Sequence, residues 1–230
     1  MEGQINVVSR LHQAVASGEL SEELFAEIPR FPSSVVECEV LDFKRQIPAN
    51  DSEYAKTVRD LVALHNSYGG FIVFGVDEIE KDRAFKIVGV ERGGVKINKI
   101  KDNIKSYCGV DIRVHGVSLE VSGLNIEVIW IVKRGQGDRP VRFVKNGPDT
   151  KPGQPAFKKS EVVFRRIDNN AIAQGAEDFD FLFSERRPPS IDASFISQDI
   201  GEPIENNLPD RVFVCPKFVG RKENIGELWT

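Results

Sequence analysis

LVALHNSYGGFIVFGVDE (61–78) is the stretch that decides the fold. Its first half ends a helix. Asp51-Ser52 supplies capping side chains upstream, and Val58, Leu61, Val62 and His65 then share one helical stripe. Gly69-Gly70 stops that helix, because glycine takes the left-handed backbone that ends helices without a Cβ penalty. FIVFGVD (71–77) follows as a nearly continuous apolar run, the pattern of a strand covered on both faces. The plainest reading of the glycine pair is a helix stop and a tight connection. The chain holds no GxxxxGK[ST] loop, and GVERGGVK (89–96) does not make one.

Upstream, SVVECEVLDFKRQ (34–46) reads as a β-branched, alternating strand that Pro48 and Asn50 close. Strand, helix and strand in that order require a helix packed across a sheet, with 71–77 inside it. Leu11, Val15, Leu20, Leu24 and Ile28 recur near helical spacing and predict a helical lead-in over 5–29, broken around Gly18 and Pro29. Downstream, a turn over 78–86 leads to a basic amphipathic helix at 95–107. Ile97, Ile100 and Ile104 form its apolar stripe, and Lys96, Lys99, Lys101 and Lys105 occupy its other faces. Strands are predicted at 111–121, 124–133 and 140–144, and Pro148, Gly153 and Pro155 make 145–160 a loop. A last strand covers 161–168, and Asn169 or Asn170 would cap a short helix over 171–183. This is an α+β fold: a mixed or antiparallel sheet with packed helices. It divides into a lead-in (1–33), a core domain (34–185), and a Pro-rich acidic linker opening a further module (186–230).

The 230 residues, 40% hydrophobic and 29% charged, suffice for one real core. The N-terminus lacks a basic patch before an apolar run, and eighteen apolar residues never run together. Cys38, Cys108 and Cys215 are odd in number and form no CxxC pair, which argues against a zinc or disulfide framework and for a reducing compartment, the cytoplasm. The net charge of -4 hides an asymmetry. Residues 1–80 carry 6 Lys/Arg against 14 Asp/Glu, residues 133–166 carry 10 against 3, and residues 167–230 carry 6 against 12. A basic middle between acidic ends can attract phosphate locally.

Four residues near the first two strands could carry chemistry. Residues two apart on a strand share a face, so Asp42 and Lys44 point the same way. An acid and a lysine so placed can hold a divalent cation and steady the charge of an attacked phosphate. Asp77 closes the apolar strand and would supply a second carboxylate, completing with Glu37 an oxygen-rich site for Mg²⁺ or Mn²⁺. Glu37 has the opposite parity to Asp42 and joins only if the chain turns between them. Taken singly, each of these is more simply a solvated strand or turn residue. His12, His65 and His115 lie near no Cys or carboxylate at ligand or triad spacing and receive no catalytic role.

The run LDFKRQ, a capped helix, and ALHNSYGG (63–70) leading to Gly75-Val76-Asp77 is similar to the AlbA-like domain of the Schlafen family. FRRIDNNAIAQGA (164–176) matches that family's strand ending in an Arg-rich turn followed by a short Ala-containing helix. The resemblance covers roughly 34–183. It implies three nuclease acids at Glu37, Asp42 and Asp77, with Lys44 as the site's lysine. Asp42 stands where the family usually has Glu, and the shorter arm would move the metal. FVGRKENIGEL (218–228) is similar to the opening of AAA-type and STAND NTPase modules.

From these residues the expected function is a metal-dependent nuclease acting on RNA, including tRNA, or on DNA. It would be the effector arm of a larger, homo-oligomeric NTPase in antiviral defence, with no membrane partner. Lys96, Lys99, Lys101, Lys105, Arg139, Arg142, Lys158, Lys159, Arg165 and Arg166 would track the nucleic-acid backbone. The alternatives are a noncatalytic nucleic-acid-binding or sensing module and a domain that only oligomerises the NTPase.

Overall fold

The computed structural model describes residues 7–18, 20–27, 38–79, 84–135, 137–166 and 169–184. Helices α1 (Val7–Ser17) and α2 (Glu22–Glu27) precede β1 (Leu41–Lys44), α3 (Asp51–Asn66) and β2 (Gly70–Phe74). Then come β3 (Val76–Ile79), β4 (Ala84–Ile87), α4 (Ile97–Cys108), β5 (Val114–Val121) and β6 (Leu124–Ile131). The described chain ends with β7 (Asp149–Lys151), β8 (Gln154–Pro155), β9 (Val163–Arg166), β10 (Asn169–Ile172) and α5 (Ala176–Phe183).

The main sheet runs β1-β2-β6-β5. β1 is parallel to β2, with Asp42 opposite Ile72 and Lys44 opposite Phe74, while β6 is antiparallel to both β2 and β5. The sheet is thus mixed, one of the two arrangements expected. α3 and α4 cover one face, where Leu61, Leu64, Ile100 and Ile104 meet Ile72, Phe74 and Ile129. α1 and α2 cover the other, where Leu11, Leu24 and Phe25 meet Leu41, Phe71, Val73 and Val128. β2 feeds both layers and is buried throughout, which is why its sequence has no polar alternation. Each such aromatic or aliphatic side chain contributes on the order of 1.5–3 kcal/mol.

Several boundaries differ from expectation, each for a local reason. Asn50 rather than Asp51-Ser52 caps α3, its side chain accepting from the Glu53 N–H at 3.0 Å. The run 71–77 is not one strand: Gly75 at φ +95° breaks it, and β3 pairs with β4 in a separate hairpin where a turn was expected. The segment 140–144 makes only an isolated bridge, Arg142 to Val162, and the predicted loop contains the β7–β8 hairpin. Asn169 and Asn170 do not cap a helix. They begin β10, antiparallel to β9, and α5 starts at Ala176 after Gly175. The strand predicted over 34–46 is four residues long, and a turn closed by Leu41 N–H to Cys38 C=O precedes it. The predicted linker and NTPase-like start at 186–230 lie outside the described residues.

Cys38 and Cys108 are buried free thiols, and burial pushes them up to about 11 and about 12. No helix among the described residues is long and apolar enough to cross a membrane.

His65 is buried near the end of α3, its Nδ1 2.6 Å from the Val132 carbonyl oxygen. Burial holds its pKa below the ordinary 6.5, against the opposing pull of that hydrogen bond. A depressed histidine leaves stability intact above 6.5 and removes it as pH falls, because the unfolded chain takes up the proton first. Unfolding free energies from urea titrations should therefore drop between pH 7 and 5 by as much as about 1.4 kcal/mol per pH unit. His65→Gln should flatten that slope, and parallel curves for the two proteins would refute the assignment.

Candidate functional site

Strand parity builds the site. Leu41 and Phe43 point into the α1/α2 layer, so Asp42 and Lys44 emerge on the opposite face, beneath α3. There Lys44 Nζ lies 2.8 Å from Asp42 Oδ2 and 3.0 Å from Asp60 Oδ2 on α3. Asp60 Oδ1 accepts a 2.6 Å hydrogen bond from Asn170 Nδ2 on β10. Arg165 Nη1 lies 3.5 Å from both Asn170 Oδ1 and Asp42 Oδ1. Asp42, Lys44, Asp60, Asn170 and Arg165 therefore form a closed ring of polar contacts, with two acids balanced by two cations. Arg165 is 2% exposed and Lys44 36%, so the ring is sealed at the guanidinium and opens to solvent at the ammonium.

The electrostatics follow from that burial. Burial alone would lower Lys44, yet Asp60 and then Asp42 outweigh it and hold the ammonium above its ordinary value. Burial raises Asp60, Lys44 opposes the rise, and the Asp42 carboxylate adds to it, leaving Asp60 a weakened acid. A buried, charge-balanced ring of this kind tolerates two carboxylates because each faces a cation, Asp42 facing both Lys44 and Arg165, and Asp60 also accepts from Asn170.

The motif residues just before Gly69 hold the ring in place. Asn66, 2% exposed, donates from Nδ2 to the Val141 and Val163 carbonyls, both at 2.8 Å, and accepts from the Val141 N–H at 2.7 Å. Ser67 Oγ accepts from the Arg165 N–H at 2.8 Å. The end of α3 thus fastens β9, and β9 delivers Arg165 to Asp42.

Among the expected site residues, Asp42 and Lys44 come together. Asp77 does not join them: it sits on β3, paired with Arg45 at 3.4 Å and one-third exposed. Glu37 lies outside the described residues. The turn at 38–41 separates its position from β1, so β1 parity does not carry back to it. Among the described residues no group of three His, Cys, Asp or Glu side chains could hold a metal ion. Arg165, expected on a nucleic-acid surface, is interior because its guanidinium serves Asp42, Asn170 and the Leu41 carbonyl. Sequence reasoning missed Asp60, although its register with Thr57, Leu61 and Leu64 puts it on the buried side of α3.

Most of the other expected cations are exposed. The last turn of α4 meets the segment after β6: Val144 N–H donates to the Tyr107 carbonyl at 2.7 Å, and Lys145 Nζ donates to Ser106 Oγ at 2.6 Å. Lys96, Lys101, Arg139, Arg142, Lys158 and Lys159 are exposed and make no ion pair among the described residues. Lys99 pairs with Asp51 at 2.7 Å, Lys105 with Asp111 at 3.0 Å, and Arg166 with Asp178 at 2.8 Å. Surface pairs of this kind are worth at most about 1 kcal/mol and yield readily to a competing anion.

The family model described as Schlafen, AlbA_2 matches residues 37–173, which include every member of the ring. No curated protein matches the chain. Among solved structures, the DIP2311 protein from Corynebacterium diphtheriae is similar with a TM-score of 0.44 and 16% identity, over 80% of this chain and 32% of that one. The chain thus spans about a third of that protein's length. The N-terminal domain of a RecG-related protein from Nitrosomonas europaea is similar with a TM-score of 0.39 and 18% identity, over 62% of this chain and 88% of that one.

Proposed function

The chain belongs to the Schlafen, AlbA_2 family, and from that premise we propose that it is a nucleic-acid-binding domain whose α4 and 139–159 surface meets the phosphate backbone. The observation that carries this reading is the set of exposed cations that make no ion pair among the described residues: Lys96, Lys101, Arg139, Arg142, Lys158 and Lys159. Such a surface releases condensed counterions on binding and reads charge rather than base sequence.

A second reading is metal-dependent cleavage of RNA, including tRNA, or of DNA. One observation favours it: the Asp42 and Asp60 carboxylates converge on a single point, now taken by Lys44 Nζ. That oxygen-only donor set suits Mg²⁺ or Mn²⁺, although it counts two acids rather than three. Asp42 and Asp60 would hold the ion; Asp77, which the family resemblance implies as a further acid, pairs with Arg45 and lies outside this pair. The ion would supply charge to polarise a scissile phosphate. Lys44 would have to leave that point to the ion, and from beside it the ammonium would steady the charge that builds on that phosphate. In a longer chain the domain would serve as the effector arm of a homo-oligomeric NTPase in cytoplasmic antiviral defence.

One series of measurements separates the two readings. Gel-shift titrations with tRNA and duplex DNA should show affinity falling steeply with salt. Lys96→Ala, Lys101→Ala and Lys158→Ala should each lower the log–log salt slope by about 0.7–0.9. Binding insensitive to salt would sink the first reading. Added Mn²⁺ should raise the melting temperature of the wild type and not of Asp42→Ala or Asp60→Asn. Cleavage that survives both Asp42→Ala and Asp60→Asn would remove the second.

A further inference from the structure

A cleft of about 410 Å³ lies on the α1 side of the sheet, where β6 runs out and β5 begins. Tyr68, Val15 and Trp130 wall it, and Arg113 and Lys133 stand at its edge. Its volume falls in the range of small-ligand sites. Trp130 and its register partner Phe71 belong to the α1/α2 layer, so the cleft opens on the face opposite the Asp42 ring.

The walls are held rigidly. Trp130 Nε1 donates to the Val15 carbonyl at 3.1 Å, and the His115 ring stacks on the indole at 5.1 Å. Gly18, at φ +73°, lets α1 end against the indole, since a Cβ there would lie 2.8 Å from the ring. The His12 ring meets Tyr68 edge-on at 5.9 Å, and Glu39 lies 3.4 Å from His12 Nε2. Lys133 Nζ sits 5.9 Å over the Tyr68 ring, so one wall is both aromatic and cationic. Arg113 is exposed and makes no ion pair among the described residues.

We propose that this cleft binds a nucleoside phosphate, with the base against the Val15, Tyr68 and Trp130 lining and the phosphate on Arg113 and Lys133. Neither half of that chemistry suffices alone. A simple anion would leave the aromatic lining uncovered, and a neutral ring would leave the guanidinium without its anion. A ligand that joins a planar ring to a phosphate satisfies both. Aromatic walls favour bases without selecting one, because every base presents a π-face. The ligand can be a free mononucleotide or the terminal nucleotide of a strand, and the inference rests neither on the Asp42 ring nor on the α4 surface.

The test uses the 230-residue chain carrying Trp229→Phe, so that Trp130 is the one remaining tryptophan. AMP, a 5′-phosphorylated oligonucleotide, adenosine and inorganic phosphate are each titrated, with indole emission and calorimetry read together. AMP, the oligonucleotide or both should bind saturably, and the tighter of the two identifies the source. Adenosine and inorganic phosphate should each bind at least roughly tenfold more weakly, as should AMP to Arg113→Ala and Lys133→Ala. The proposal falls if neither nucleotide ligand saturates by about 5 mM. It falls equally if adenosine or phosphate matches AMP, or if both substitutions leave affinity unchanged.

Discussion

Alanine at Gly69 should destabilise the domain by roughly 3–5 kcal/mol, enough to unfold much of it at 37 °C. Gly69 has φ +74°, where an L side chain costs about 1–2 kcal/mol. An added Cβ would also fall 2.7 Å from the Lys133 backbone nitrogen and 2.8 Å from the Ile131 carbonyl oxygen. Both are main-chain atoms of the β6 exit and cannot rotate away. Gly123 is the natural control: in the β5–β6 turn it has φ +77°, yet nothing lies within 4 Å of a Cβ built there. Gly123→Ala should therefore cost only the conformational share, about 1–2 kcal/mol. Urea unfolding of the two variants decides the matter. If Gly69→Ala proves no worse than Gly123→Ala, close backbone approach is not what requires the glycine.

Asn66→Ala is expected to cost about 3–5 kcal/mol and to loosen one region first. The side chain makes three hydrogen bonds to main-chain atoms, one buried to Val163 and two part-buried to Val141, each net worth about 1 kcal/mol. Removing it also leaves those groups unpaired away from water, which adds to the loss. The damage should spread from β9, so amide exchange at 141 and 163–166 should accelerate more than in β2. Asn66→Asp keeps the acceptor for the Val141 N–H and loses both donors, which should make it nearly as harmful. A cost below about 1 kcal/mol for Asn66→Ala would mean that β9 is held by packing instead.

Both predictions concern the ALHNSYGG segment, and they show how much the chain revealed before folding was considered. The helix stop and the doubly buried strand were legible because each is a local rule: glycine ends a helix, and a strand covered on both faces loses its polar alternation. The amphipathic α4 was legible for the same reason. Gly75 was harder to read, since one glycine in an apolar run does not announce that β3 turns away to pair with β4. That break took Asp77 to Arg45 and away from Asp42. Asn169 and Asn170 were misread because they pair back onto Arg166 and Arg165, only three and five residues earlier, and a capping tendency does not distinguish such a return strand from a helix start. Asp60 and Arg165 were missed as partners of Asp42 because a closed ring across β1, α3, β9 and β10 has no sequence spacing of its own.

The bond from Arg165 Nη2 to the Leu41 carbonyl, at 2.8 Å, has an effect beyond the ring. The Val40 and Lys44 carbonyls accept from Phe71 and Gly75 N–H groups, so the Leu41 carbonyl points to the outer margin of the sheet. β1 is the terminal strand there, the place where a stray extended chain could add itself. A newcomer would meet a strand of only four residues with one acceptor already occupied by a guanidinium. The same arginine that neutralises an acid on one face thereby blunts the rim against accretion of foreign strands.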